Sequence, residues 1–185
     1  MKTNILLVLV ALAISGCSGR ASPLDQEELA MKEPVVNAGT VCYIEPTEEL
    51  RARLSPEEWA VLVENATEPP FQNRYWNNHA AGIYVDAADG TPLFASVHKF
   101  DSGSGWPSFW QPIDEDRLVL IEDTSFGMTR VEVRARRSGG HLGHVFDDGP
   151  EPTGRRYCIN SAALRFIARE DLASAGYGEL LAMFD

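Results

Sequence analysis

From residue 82 onward this chain cannot sustain a long element, because clusters of glycine, aspartate and proline cut its apolar runs at close intervals. "GIYVDA", "TPLFASVHKF", "RLVLIEDTS", "MTRVEVRAR", "GHVFDD" and "RYCINSAALRF" read as strands, interrupted by "ADGTP", "DSGSGWP" and "DDGPEPTG". Glycine supplies positive φ, proline lacks a ladder donor and aspartate bonds its own turn, so such clusters end strands. "TRVEVRAR" alternates in polarity with period two, the pattern of an antiparallel strand with one face in water. The expected architecture is mainly β with helices at the ends.

The first of those helices is expected in "LSPEEWAVLVEN". Ser55 is a natural N-cap, Pro56 suits the first helical position, and Glu58 stands three residues after the cap, as in a capping box. Trp59, Leu62 and Val63 provide its apolar face. A last short helix is expected in "REDLASAGYGELL".

Upstream, Met1-Lys2 and the apolar run Ile5–Ile14 form a segment too short for a membrane span, which needs about 20 residues. It has the form of a secretory signal over residues 1–16. The following "ISGC" resembles the lipobox of bacterial lipoproteins, which makes Cys17 the lipidated first residue of the mature chain. Residues 17–50 are polar, acidic and proline-punctuated, and read as a lipid-anchored tether with a root-mean-square span of roughly 30 Å, leaving 51–185 as the folded domain. "LDQEELAMK" could form a helical turn within it. Removing residues 1–16 takes away Lys2 and no acid, so the formal charge goes from −11 to −12. Nucleic acid and anionic lipid headgroups would repel such a chain, so membrane attachment has to come from the acyl chains. The expected location is the bacterial cell envelope, facing the periplasm. Ser18 after the lipidated cysteine leans toward the outer membrane. Three cysteines do not make a disulfide framework, and lipidation of Cys17 leaves Cys42 and Cys158 as usable thiols.

Chemistry concentrates in three turn-rich stretches around Cys158. These are "HLGHVFDDGP" with His141 and His144, "SGSGWPSFW" with Trp106 before Pro107, and the Arg155-Arg156 pair ahead of the cysteine. The histidines alone are open to a metal-binding or a structural reading, and an extended His-x-x-His rarely aims both rings at one ion. Taken alone, Cys158 is either a buried hydrophobe or a reactive thiolate.

In combination, "TEPPF…YWNN…GIYV", "PLFASVHKFDSGSGWPSFWQPI", "RVEVRARRSGGHLGHVFDDGPEPTGRRYCINSAALRF" and "EDLASAGYGELL" resemble the type B methionine sulfoxide reductases, which act on the R epimer. The resemblance runs from about Leu54 to the C-terminus. It implies a fold of twisted antiparallel sheets, tent- or barrel-like, with short flanking helices, in a monomer. It puts Cys158 at the nucleophile that takes oxygen from protein-bound or free methionine sulfoxide. Thiolate is the active species, and the product is a cysteine sulfenic acid. The departing oxygen needs a proton, a task for His144 with His141 in support. Arg156 would favour the thiolate, and Asn160, on the strand face of Cys158, would orient a histidine or water. Asp148 would hold the histidines or Arg156. Trp106 offers an apolar wall for the S-methyl group, and Phe146 lines the same pocket.

Two departures from the family pattern stand out. Many members bind a structural zinc through two CxxC pairs, where this chain has Asp86, Asp89, Ala135 and Ser138, so no zinc is expected. Many also have a resolving cysteine where this chain has Ser104. The sulfenic acid would then be resolved by Cys42, and the disulfide reduced by a thioredoxin-like partner, or attacked directly by an external thiol. Two other classes remain on the sequence: an inactive or weak relative that binds oxidised or methionine-rich clients, and a Cys-His hydrolase, for which no oxyanion-hole motif stands out.

Overall fold

The computed structural model describes residues 43–185, apart from the Phe126 side chain. The expectations for the signal segment, Cys17, the turn in "LDQEELAMK" and Cys42 lie outside the described residues. Helix α1 (Glu48–Arg53) is capped by Thr47 and buries Leu50, so folded structure begins inside the stretch read as tether. Helix α2 (Pro56–Leu62) has the expected start: Ser55 Oγ accepts from Glu58 N–H, and the Glu58 carboxylate accepts from Ser55 N–H. Its Trp59, Val61 and Leu62 enter the core.

Nine strands follow: β1 (Gly82–Asp86), β2 (Pro92–Ala95), β3 (Lys99–Phe100), β4 (Ser108–Phe109), β5 (Leu118–Asp123), β6 (Arg130–Ala135), β7 (His141–Phe146), β8 (Arg156–Ile159) and β9 (Leu164–Ala168). They form two antiparallel sheets among the described residues, in the orders β2-β1-β9 and β3-β4-β8-β7-β6-β5. Two of the expected strands are broken by single 3₁₀ turns. Ser96–His98 splits "TPLFASVHKF", and Ser161–Ala163 splits "RYCINSAALRF" where the chain passes from the larger sheet to the smaller. The expected last helix is instead two 3₁₀ segments, Arg169–Asp171 and Gly178–Phe184, because Gly176 takes φ +88° between them and breaks the turn.

The facing sheets are joined by aromatic rings. Phe94 stacks on Phe109 at 4.6 Å, and Tyr84 meets Phe109 edge-on at 5.1 Å. Phe94 also reaches Tyr157 at 5.9 Å. All four are essentially water-free, each contributing about 1.5–3 kcal/mol from burial. β1 is buried along its whole length because Tyr84 faces this core while Ile83 and Val85 pack under Leu172 and the C-terminal segment. On β6 the expected alternation of wet and dry does not hold. Glu132 is half-buried and Arg134 is buried, since both meet charged partners and not solvent.

At the far corner, Ser138 Oγ–H donates to Asp86 Oδ2 at 2.6 Å, and Ala88 N–H donates to Oδ1. The second acid, Asp89, accepts from Thr91 N–H and faces Arg137, while Ala135 is buried among apolar neighbours. Burial pushes the Asp86 carboxyl up to about 6, against the pull of Ser138 and the Ala88 amide. A folded-state value above the unfolded one means that the native state holds the proton longer. The contribution of Asp86 to stability is therefore greatest below about pH 4, falls as pH rises toward 6, and stays low above it. Asp86→Asn keeps an acceptor for Ala88 and a donor for Ser138. Chemical denaturation should find it more stable than the parent at pH 7.5, by on the order of 2 kcal/mol, with the gap closing near pH 4.

Candidate active site

The antiparallel register places one row of side chains across the larger sheet. Cys158 on β8 stands opposite Ser108 on β4 and opposite His144 on β7, and His144 stands opposite Glu132 on β6. Opposed residues share a face, and successive residues alternate. Tyr157 and Ile159 therefore fill the core, while Cys158 points to the other side with Arg156, His144 and Phe146. Gly143 permits the close approach of β7 to β8: a Cβ there would run into the Cys158 carbonyl.

His141 and His144 are three apart, a spacing that puts side chains on opposite faces of a regular strand. A bulge removes the conflict. Val133 pairs with Gly143 and Arg134 with His141, leaving Leu142 as the extra residue, its side chain in the core. Both imidazoles then lie on one side, with ring centroids 5.6 Å apart. The bulge carbonyl, Leu142 O, accepts from both the Asn160 backbone and its side-chain amide.

Each histidine is held by an acid of the same sheet, His141 by one on the neighbouring β6 and His144 by one at the end of β5 beyond it. His144 Nε2 lies 2.8 Å from Asp123 Oδ2, and His141 Nδ1 lies 2.6 Å from Glu132 Oε1. An ionised carboxylate only accepts, so those ring nitrogens carry the hydrogens. Arg130 pairs with Asp123 at 2.6 Å and Arg134 with Glu132 at 2.9 Å. The hydrogen bonds from Ser125, with His144 and Arg130 adding to them, hold Asp123 far below the usual carboxylate range. Burial alone would raise Glu132, but His141 and Arg134 carry it below its ordinary value. Burial also lowers His144, with Asp123 opposing, so its imidazole is neutral near pH 7.

Cys158 is held in the thiol form. Burial pushes it above its ordinary value, and hydrogen bonds from Ser104 and Ser108 and the charge of Arg156 offset this only in part. Arg156 favours the thiolate, as expected, but burial is the larger effect. Arg156 is also engaged elsewhere: its guanidinium forms two 2.8 Å bonds to Asp148 and lies 4.4 Å over the Phe146 ring. Of the two tasks expected of Asp148, it performs this one. The histidines are held by Asp123 and Glu132. Ser104 Oγ sits 3.7 Å from Cys158 Sγ and joins a hydroxyl chain, with Ser102 bonded to Ser104 at 2.8 Å and to Ser108 at 2.7 Å.

A cavity of about 130 Å³ opens over the thiol. It is lined by Cys158, His144, Phe146, Trp106, Asn160 and Arg130, with Thr67 and Gly143 completing the wall. His141 lies behind it, buried. Trp106 is fixed by its Nε1–H bond to the Glu68 carbonyl at 3.1 Å. Asn160 lines the cavity from just past the end of β8, where its side-chain carbonyl oxygen accepts from Glu68 N–H and its amide donates to Leu142 O. It clamps the covering segment to β7. The site therefore gathers Cys158, His144, Trp106, Phe146 and Asn160 around one cavity, with Arg156 and His141 beside it.

A family model for the SelR domain matches residues 54–168. The chain belongs to the SelR (MsrB) domain family. The match ends at Ala168, the last residue of β9, so it takes in both sheets and every residue that lines the cavity. A relative named "Peptide methionine sulfoxide reductase MsrA/MsrB", from Vibrio cholerae serotype O1 (strain ATCC 39315 / El Tor Inaba N16961), is 51% identical over 148 residues. That alignment takes in 80% of this chain and 39% of the relative, so the chain spans well under half the length of that curated protein.

Sequence reading missed Asp123, on β5 outside the quoted motifs, and Arg130 and Glu132, which lie within the β6 stretch that carries the resemblance but were assigned no role. An acid on the polar face of "TRVEVRAR" was the one available signal for Glu132. Ser104 was noted only for the sulfur it lacks, whereas its hydroxyl supports the thiolate form. Ser104→Ala should move the half-point of Cys158 alkylation by iodoacetamide to higher pH, read from the mass of the Cys158 peptide across a pH series. An unchanged half-point would remove Ser104 from that role.

Proposed function

We propose that this chain reduces methionine-(R)-sulfoxide, in polypeptides or free, to methionine. The observation that carries the reading is the single cavity shared by a half-buried thiol, a neutral imidazole and an indole wall, in a chain of the SelR family. The S-methyl group packs on Trp106, with Phe146 on the opposite flank. Cys158 attacks the sulfoxide sulfur as its proton passes to His144, whose acid-bound Nε2 leaves Nδ1 free to receive it. The S–O bond of the substrate breaks, and its oxygen goes to Cys158 Sγ with the proton returned by His144. Methionine and a Cys158 sulfenic acid result, with atoms and charge conserved. A thiol held up by burial beside an imidazole held down by burial suits this exchange: neither carries charge until the substrate arrives.

The sulfenic acid then condenses with a second thiol, releasing water. Cys42 is our candidate, followed by reduction of the Cys42–Cys158 disulfide by a thioredoxin-like dithiol. Ser104 supplies no sulfur for this step, although its side chain points at Sγ. The zinc of many relatives does not fit here. Ala135 has no ligand atom, serine is a poor ligand, and Asp86 and Ser138 are bonded to each other. Those hydrogen bonds and packing hold the corner. The "ISGC" stretch supports a lipid-anchored protein of the bacterial envelope, and we take it to act as a monomer facing the periplasm.

Incubation with the R and S epimers of a methionine sulfoxide dipeptide and dithiothreitol tests the chemistry. Turnover of R alone is expected, and none by Cys158→Ser; wild-type-like turnover by that variant would take Cys158 out of the reaction. One turnover without reductant should leave a 42–158 cross-link by mass spectrometry, and Ser104→Cys should divert it to 104–158. If Cys42→Ser leaves thioredoxin-driven turnover unchanged, Cys42 is not the resolving thiol.

A further inference from the structure

A second cavity, about 230 Å³, lies against the first and shares the Trp106 wall with it. Phe71, Trp76, Asn77, Asp101, Gly103 and Gly105 line it with that indole. Phe71 and Trp76 meet edge to face with centroids 5.5 Å apart, yet Phe71 is 52% and Trp76 37% exposed. They are two of the few large apolar side chains that the described residues show to water.

This exposure is built in. Phe71 has φ +60°, a conformation that a bulky side chain rarely adopts and that costs on the order of 1 kcal/mol. The strain is held by bonds to the loop that carries Trp106. Phe71 N–H and the Asn73 amide both donate to the Gly105 carbonyl, at 2.8 and 2.7 Å. Asn73 in turn accepts from Ser161 Oγ–H, and Ser161 Oγ accepts from Tyr75 N–H, which ties the aromatic loop to the turn that follows β8. Gly105 makes the seating possible, since a Cβ there would lie 2.6 Å from Pro70 Cβ and 2.9 Å from Phe71 N. A left-handed aromatic, exposed and fastened to the loop of Trp106, contributes nothing to the core. It is a prepared apolar surface.

We propose that this second cavity receives an apolar side chain that flanks the oxidised methionine in a polypeptide substrate. This deepens the reading given above and rests on it. Its occupant follows from continuity: with the sulfoxide side chain against one part of Trp106, the substrate backbone must leave the small cavity past the same indole. In an extended peptide, side chains two positions apart lie on one side at roughly 6.5–7 Å, a step that clears an indole ring. The residue that lands in the second cavity is thus within two positions of the methionine. Edge and face contacts from Phe71 and Trp76 favour aromatic or large aliphatic groups there.

The experiment compares R-sulfoxide pentapeptides with glycine flanks against those with phenylalanine placed singly at each of the two positions before and after the methionine. N-acetyl-methionine-(R)-sulfoxide amide, which has no flanking residue, is the reference, and dithiothreitol is the reductant, so the resolving thiol does not enter. At its best position, phenylalanine should raise kcat/KM about tenfold over glycine. Phe71→Asn, which tolerates the same backbone, and Trp76→Ala should each reduce that advantage to twofold or less and leave the reference substrate unchanged. Phe71→Tyr should keep it. Equal rates for all flanks in the parent, or equal losses on all substrates in the variants, would overturn the subsite. Failure to turn over even the reference substrate would instead sink the proposed function, and the subsite with it.

Discussion

The pairing of β7 with β8 is the constraint on which the site depends. Because His144 stands directly opposite Cys158, imidazole and thiol share a sheet face without any loop to position them. Ladder hydrogen bonds and the aromatic core beneath Tyr157 fix the register. A one-residue slip would send Cys158 into that core and bring Tyr157 out. Chemistry and packing are thus coupled through alternate residues of a strand four residues long.

The surrounding charges are arranged to keep the reacting groups neutral. Four acid–base pairs could have been scattered, yet Asp123, Arg130, Glu132 and Arg134 occupy one face of adjacent strands and satisfy one another as well as the histidines. Their mutual pairing lets a half-buried row of charges exist beside a cavity at tolerable cost, since an unpaired buried charge would be far more expensive. Cys158 is left with hydroxyl donors and a guanidinium already committed to Asp148. Its thiolate is accessible and not preferred at rest, which lowers its intrinsic reactivity.

Much of this was legible in the sequence, for local reasons. The start of α2 could be read from Ser55, Pro56 and Glu58 because a capping box is a contact across one turn. The strand positions followed from turn residues that act on their own backbone. The two-residue strand β4 was hidden inside a glycine-rich loop: no periodicity exists in two residues, and its pairing with β8 is long-range. The bulge at Leu142 was equally invisible, although it reverses the face of His141. Composition does not show where a ladder skips a residue. The polar side of β6 was read as wet for the same reason, since its partners Asn65 and His141 arrive from other elements. Cys158, His144 and Trp106 were accessible through the motifs that carry the family resemblance. The groups that tune them were not, because they sit where topology and not spacing determines who meets whom.

Reaction and recognition place opposite demands on the surface around Trp106. A cavity of about 130 Å³ can exclude water from a thiol only if its walls are fixed, and the indole is fixed from below by Glu68 and through its loop by Ser104 and Gly105. A polypeptide substrate needs apolar surface that stays exposed until it binds, and such surface normally collapses onto itself or onto the nearest core. The strained backbone at Phe71 resolves the conflict: it prevents the ring from folding inward, while the bonds from Phe71 and Asn73 to Gly105 make the exposed loop and the Trp106 loop one rigid piece. An indole shared by the two cavities then serves both demands of the proposed reaction.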